Sequence, residues 1–199
     1  MVTPIARQSN DICFFGLKGS GKSLAMGYYA FKKYLADYEI FSNYAFIFPY
    51  TPVKSLYDVQ NLMEQTEKKK ILIIDDAERW LDSKFLTLGQ KKGLLNLTLD
   101  LGKAGYGCDI WFSGKRPVAI EKGLRATTDL WIECTMVLKN YDLKSYNEFL
   151  DYKRYLDNYM IQMDTYDGNL EYVCTSYLDN LPVWGELYDT KQTIKKLEV

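Results

Sequence analysis

Short, unbroken apolar runs alternate along this chain with stripes of apolar residues at helical spacing. The first run, Asp11–Phe15, predicts a strand. From Lys22 to about Ala36, Leu24, Tyr28, Phe31 and Leu35 fall on one face of a predicted helix. Glu39–Phe48 is rich in aromatic and β-branched residues and predicts a second strand, ended by Pro49 and Pro52. Ser55–Glu67 predicts a helix whose apolar set is Leu56, Val59, Leu62 and Met63. The run Ile71–Ile74 has no polar alternation, as expected of a strand buried on both faces of a parallel sheet.

Leu88–Ala104 carries two patterns. Leu95, Leu97, Leu99 and Leu101 alternate like a strand, whereas Leu94, Leu97, Leu101 and Ala104 make a helical stripe. Its length favours a helix, ended by Gly102, Gly105 and Gly107. Cys108–Ser113 and Asp129–Leu138 predict two more strands. Strands alternating with helices in this way predict a three-layer α/β sandwich around a mainly parallel sheet. From Lys139 onward tyrosines become dense. Asn147–Leu156 predicts a helix, and Tyr159–Thr165, Asp167-Gly168 and Leu170–Thr175 predict a β-hairpin. The expectation is one domain over residues 1–199: a short polar arm (1–9), a core at about 10–138, and a C-terminal appendage at about 139–199 carrying the hairpin.

Between the first strand and the first helix lies Gly16–Ser23, GLKGSGKS. Strand, glycine-rich loop and helix are the context that a phosphate-binding P-loop requires. The glycines let successive backbone N–H groups turn toward one anion, and the helix N-terminus adds its partial positive charge. Gly16, Lys18, Gly19, Ser20, Gly21, Lys22, Ser23 and Leu24 are the candidate nucleotide-binding residues. Lys22 can reach the β- and γ-phosphates, and the Ser23 hydroxyl can face Mg²⁺.

The apolar run Ile71–Ile74 ends in Asp75-Asp76-Ala77-Glu78. An acid at the C-terminal end of such a strand is where a Walker B carboxylate holds Mg²⁺ through water, and Asp75 takes that role. Asp76 is placed to orient or deprotonate an attacking water, with Glu78 as the alternative base. The cofactors implied are ATP and Mg²⁺.

Composition narrows the partners. Hydrophobic residues make up 47% of the 199 and charged residues 26%, enough apolar material for a full core. The formal net charge is -1, so any contact with DNA has to come from local patches or from oligomer geometry. The absence of histidine excludes His-metal sites and His acid–base chemistry. Cys13, Cys108, Cys134 and Cys174 stand singly in strand-like runs, which argues against a zinc site or disulfide framework and fits a reducing compartment. No apolar run has the length of a membrane span, and the expected location is cytoplasmic. Lys68-Lys69-Lys70 reads as a solvated turn. Lys91, Lys92 and Lys103 read as a solvated helix face or as the lining of a DNA channel.

Four segments, GLKGSGKS, ILIIDDAERWLDS, LGKAGYGCDIWFSGKRP and IEKGLRATTDLWIE, make the chain resemble the FtsK–HerA superfamily of P-loop ATPases. The resemblance is to its viral genome-packaging and zonula-occludens-toxin-like branches. It covers about residues 10–135, and LYDTKQ near the end resembles a further short motif of these proteins. The resemblance implies a RecA/ASCE-like P-loop fold and ATP hydrolysis coupled to translocation of double-stranded DNA. It also implies a homo-oligomeric ring, commonly a hexamer, and a capsid or portal partner. It further implies an arginine finger acting on a neighbouring subunit, for which Arg125 matches best and Arg116 is second. Two positions depart from the family pattern: Lys115 stands where the sensor is typically Gln, and Asp76 where the second acid is usually Glu. Two rival readings remain. A nucleoside or nucleotide kinase fits the P-loop, but lacks support from the paired acids. A virion assembly protein that binds nucleotide without motor activity is compatible with the Lys115 departure.

Overall fold

In the computed structural model, residues 10–54, 68–80, 108–120, 122–139 and 159–187 are described. The strands are β1 (Asp11–Phe15), β2 (Glu39–Ser42), β3 (Thr51–Pro52), β4 (Lys70–Ile74), β5 (Cys108–Gly114), β6 (Leu130–Leu138), β7 (Tyr159–Asp167) and β8 (Tyr172–Leu178). They form one sheet in the order β3-β2-β4-β5-β1-β6-β7-β8. The pairs from β3 through β6 are parallel, and β6-β7 and β7-β8 are antiparallel.

The unbroken apolar run of β4 has a direct explanation in packing. Ile71 and Ile73 point into a core on one face of the sheet, Leu72 and Ile74 into a second core on the other. Both faces are dry along Ile71–Ile74, which is why that run is unbroken; Lys70, which opens β4, is itself only 2% exposed and not part of a solvated turn as Lys68-Lys69-Lys70 suggested. The first face is covered by helix α1 (Lys22–Leu35), through Leu24, Ala25, Met26 and Ala30, and by the short α4 (Leu181–Gly185), through Leu181. On the opposite face lie the single turn α2 (Ala77–Trp80), a 3₁₀ turn at Pro117–Ala119, and α3 (Lys122–Thr127). Ala77, Ile120 and Leu124 join the core there. The three-layer, mainly parallel α/β sandwich expected from the sequence is therefore present.

Three local expectations need correction. The second strand ends at Ser42, not Phe48. The Tyr44 N–H turns back to Ser42 Oγ at 2.9 Å, and the chain leaves the sheet. Tyr44, Phe46 and Phe48 still bury their rings on the α1 side, with Phe46 and Phe48 stacked 4.7 Å apart. Phe46 forms only an isolated bridge, with the Ile47 N–H donating to the Leu187 carbonyl at 3.1 Å, so their alternation is a packing pattern and not an extended strand. In α1, Leu24 is buried and Tyr28 and Phe31 pack against the core as expected, but Leu35 is 68% exposed, and Ala25, Met26 and Ala30 complete the inward face. The hairpin exists, but it is continuous with the main sheet, because β7 pairs with all of β6, from Leu130↔Asp167 to Leu138↔Tyr159. The expected helices at 55–67, 88–104 and 147–156, the lysines at 91, 92 and 103, and most of the LYDTKQ motif lie outside the described residues. No helix among the described residues is long and apolar enough to cross a membrane.

Register sets the geometry of the site. Phe14 on β1 pairs with Ser113 on β5, and Ile74 on β4 pairs with Phe112. The C-terminal ends of β1, β4 and β5 therefore lie side by side at one edge, with β5 between the other two.

Phe112 is fully buried at the centre of this arrangement. Phe112→Ala is expected to destabilise the protein by about 3–5 kcal/mol. Leu35→Ala, at an exposed position, is expected to change stability by no more than about 0.5 kcal/mol. Urea unfolding monitored by circular dichroism measures both. A comparable loss for the two variants would mean that the second face of α1 is buried after all.

Candidate functional site

The loop after β1 turns sharply at Gly16, Gly19 and Gly21, whose φ values are 141°, 82° and 88°. Two of these glycines are required by contact as well as by conformation. A Cβ on Gly16 would lie 2.4 Å from the Cys134 carbonyl oxygen of β6, and one on Gly21 would lie 2.4 Å from Ile161 Cδ1 of β7. The loop is thus pressed against the β6–β7 part of the sheet. Gly21 precedes α1 without any side-chain cap, and the first turn of α1 holds no acid. A helix start with uncapped N–H groups and no competing carboxylate is suited to an anion.

The loop's side chains match this reading. Lys22 folds over the loop, its Nζ donating to the carbonyls of Gly16 and Leu17 at 2.9 Å each. Burial lowers its pKa, opposed chiefly by the charge of Asp75. The buried Ser20 Oγ has no hydrogen-bond partner among the described residues. Lys18 is exposed beside it, and Leu24 is buried in the core, which leaves its backbone alone to face a ligand.

Across from the loop stands the acid turn after β4. Ser23 Oγ donates to Asp75, 2.9 Å from Oδ2 and 3.1 Å from Oδ1. Asp75 is only 3% exposed. It also accepts the hydroxyl of Ser113, from the end of β5. The same Ser113 Oγ accepts the Asp76 N–H at 2.9 Å. Asn43, just past β2, grips the turn from the other side: its Oδ1 accepts the Asp75 N–H at 2.8 Å and its Nδ2 donates to the Asp75 carbonyl at 3.0 Å. Asp76 is half-buried and adopts the left-handed conformation at φ 52°, one that Asp tolerates better than most residues. Glu78, on α2, accepts the backbone N–H groups of Lys115 and Arg116.

The remaining candidates lie further out. Lys115 and Arg116 are exposed on the strand tip after β5. Arg125 is half-buried on α3, and its Nε is enclosed without a hydrogen-bond partner among the described residues. The geometry therefore brings together Lys22, Ser23, Asp75 and Asp76, and adds Ser113 and Asn43, which sequence reasoning did not single out. A polar residue closing the apolar run Ile110-Trp111-Phe112 was the available signal for Ser113. No comparable signal marked Asn43, which sits inside the overextended second strand.

The residues fit a magnesium–nucleotide ligand. A hydroxyl and a carboxylate already in contact are oxygen donors of the kind Mg²⁺ prefers, used sparingly and completed by phosphate and water. Lys22, the orphaned Ser20 hydroxyl and the uncapped helix start are all donors for phosphate oxygens.

No protein-family model matches the chain, and no curated protein sequence matches it. Solved structures do. The N-terminal domain of zonular occludens toxin from Neisseria meningitidis superposes with a TM-score of 0.57 at 15% identity, covering 91% of this chain and 100% of that one. The genome packaging NTPase B204 from Sulfolobus turreted icosahedral virus 2, in complex with ATP-gammaS, superposes with a TM-score of 0.52 at 14% identity, covering 86% and 98%.

Burial raises the Asp75 pKa, against the hydrogen bonds from Ser113 and Ser23 that lower it. A carboxyl that holds its proton more tightly when folded favours the folded state fully below its unfolded pKa. That contribution is lost as pH rises through the folded value. Asp75→Asn removes this penalty. In nucleotide-free protein at pH 7 the variant is expected to melt above wild type, with a shallower fall in melting temperature between about pH 4 and pH 8. Differential scanning fluorimetry across that range checks it; a lower melting temperature at every pH would contradict the buried-charge reading. With strand β5 interposed between the loop-bearing β1 and the acid-bearing β4, and with those superpositions, the chain has the RecA/ASCE-like P-loop fold found in zonular occludens toxin and in a viral genome packaging NTPase.

Proposed function

We propose that this chain is the ATP-hydrolysing subunit of a DNA translocase, a minimal viral genome-packaging ATPase that works as a homo-oligomeric ring on double-stranded DNA. The observation that carries the reading is the contact between Ser23 Oγ and the Asp75 carboxylate, which joins the glycine-rich loop to the acid turn beside an uncapped helix start. The packaging NTPase that shares the fold was solved with ATP-gammaS, which supports the same ligand class here.

In this reading Lys22 leaves the carbonyls of Gly16 and Leu17 and turns its ammonium to the β- and γ-phosphates. The backbone N–H groups at the start of α1 and the Ser20 hydroxyl hold the remaining phosphate oxygens. Ser23 and Asp75 hold Mg²⁺, which when bound offsets the negative charge shared by the phosphates. Asp76, beside Asp75 and more accessible than it, orients the attacking water and accepts its proton. Arg125 completes the site of a neighbouring subunit, with Arg116 the second candidate.

Lys22→Ala is expected to reduce turnover by at least about 10²-fold without unfolding the protein, because Lys22 supplies charge to the phosphates and not core packing. Asp76→Asn is expected to block hydrolysis while Mg-ATP still binds, since the water-side acid acts in the transition state. An ATPase assay with and without double-stranded DNA, alongside nucleotide binding by calorimetry, reads both. Wild-type binding without turnover would sink the hydrolase reading. Phosphate transfer to a nucleoside would favour a kinase.

Arg125→Ala is expected to bind ATP almost normally and to lose about 10³-fold or more in turnover. Mixed with Lys22→Ala, it is expected to recover part of the activity, because some interfaces then combine an intact loop with an intact Arg125. Mixed assemblies that form without recovery would exclude action between subunits by Arg125.

A further inference from the structure

Glu78 is one of the two acids that the sequence offers as a base, and one of its carboxylate oxygens is engaged elsewhere. Its Oε1 accepts the N–H of Lys115 and, at 3.1 Å, that of Arg116. A Cβ on Gly114 would lie 3.5 Å from the same oxygen and 3.0 Å from Ile120 Cδ1, so the carboxylate rests directly over the end of β5. Two successive amides converging on one carboxylate oxygen make a charge-assisted pair, stronger than neutral hydrogen bonds. The lone pairs of that oxygen are then directed at the strand end and not at a water over the loop.

The consequence concerns the chain beyond β5. Lys115 and Arg116 are exposed, and Arg116 is extended, at φ -145° and ψ 141°. Ser113 fixes the strand one step earlier, through its bonds to Asp75 and Asp76. Glu78 extends the same stitching past the strand end, to the segment that carries the two cationic side chains. We infer that Glu78 is a positioning residue: it clamps the backbone of Lys115 and Arg116 to the acid turn and so sets where both cations lie relative to Asp76. This rests on the hydrolase reading for its effect on turnover, but the clamp itself is a property of the protein without nucleotide.

Two substitutions separate a clamp from a base. Glu78→Gln keeps an oxygen acceptor at the same reach but cannot serve as a base, whereas Glu78→Ala removes the acceptor. Amide hydrogen exchange in nucleotide-free protein is expected to show Lys115 and Arg116 exchanging about tenfold or more faster in Glu78→Ala, and close to wild type in Glu78→Gln. In ATPase assays kcat is expected to fall only a few-fold in Glu78→Gln and about tenfold or more in Glu78→Ala, with KM for ATP little changed in either. Unchanged exchange in Glu78→Ala overturns the clamp. So does a Glu78→Gln variant that keeps its protected amides yet is as inactive as Glu78→Ala, because Glu78 would then be the base. If wild-type protein shows no hydrolysis at all, the proposed function fails, and the exchange data alone decide the clamp.

Discussion

A buried carboxylate at the meeting point of three strand ends is the constraint on which the site depends. A charge at the position of Asp75 loses most of its hydration, and that loss has to be offset by donors aimed at it. Ser113 and Ser23 supply them from two different elements. The requirement explains the order of the sheet. Ser113 reaches Asp75 because β5 lies directly beside β4 in register. Ser23 reaches it because β5 keeps the loop-bearing β1 a full strand away, which leaves room for the loop and the first turn of α1.

Burial raises the Asp75 pKa and the hydrogen bonds from Ser113 and Ser23 lower it, with burial the larger cause. A cation placed at the Ser23–Asp75 pair would act against the same burial cost, so metal affinity and the protonation of Asp75 would be two aspects of one geometry.

Features whose cause is local were legible in the sequence. The glycine spacing of Gly16–Ser23 demands its own positive-φ backbone, and the unbroken apolar run of β4 follows from two dry faces, so both could be read without knowing what lay nearby. Ser113 and Asn43 were not legible, because each acts on Asp75 across a gap of more than thirty positions, and only strand register brings them there. The second strand was overextended for a related reason. Tyr44, Phe46 and Phe48 alternate as strand residues do, but burial alone enforces that pattern, and Ser42 had already turned the backbone away. Leu35 was misplaced because it lies in the last turn of α1, past the buried set Leu24, Ala25, Met26 and Ala30, of which the two alanines carry little hydrophobic signal.

The C-terminal hairpin gains a role that its reading as an appendage did not include. Ile161 on β7 lies against Gly21 and the Cys134 carbonyl on β6 against Gly16, so the two ends of the loop rest on the part of the sheet away from the acids. The acid turn is held from both of its own flanks, by Asn43 just past β2 and by Ser113 at the end of β5. A loop and an acid turn each braced by neighbouring strands can keep their backbones fixed while side chains alone adjust. Lys22 is the side chain placed to adjust, since its Nζ is held only by the carbonyls of Gly16 and Leu17 of its own loop among the hydrogen bonds of the described residues. Charge arranged in this way before a ligand arrives needs little reorganisation when negative charge builds on that ligand, which is the condition under which fixed dipoles and ammonium groups act most strongly.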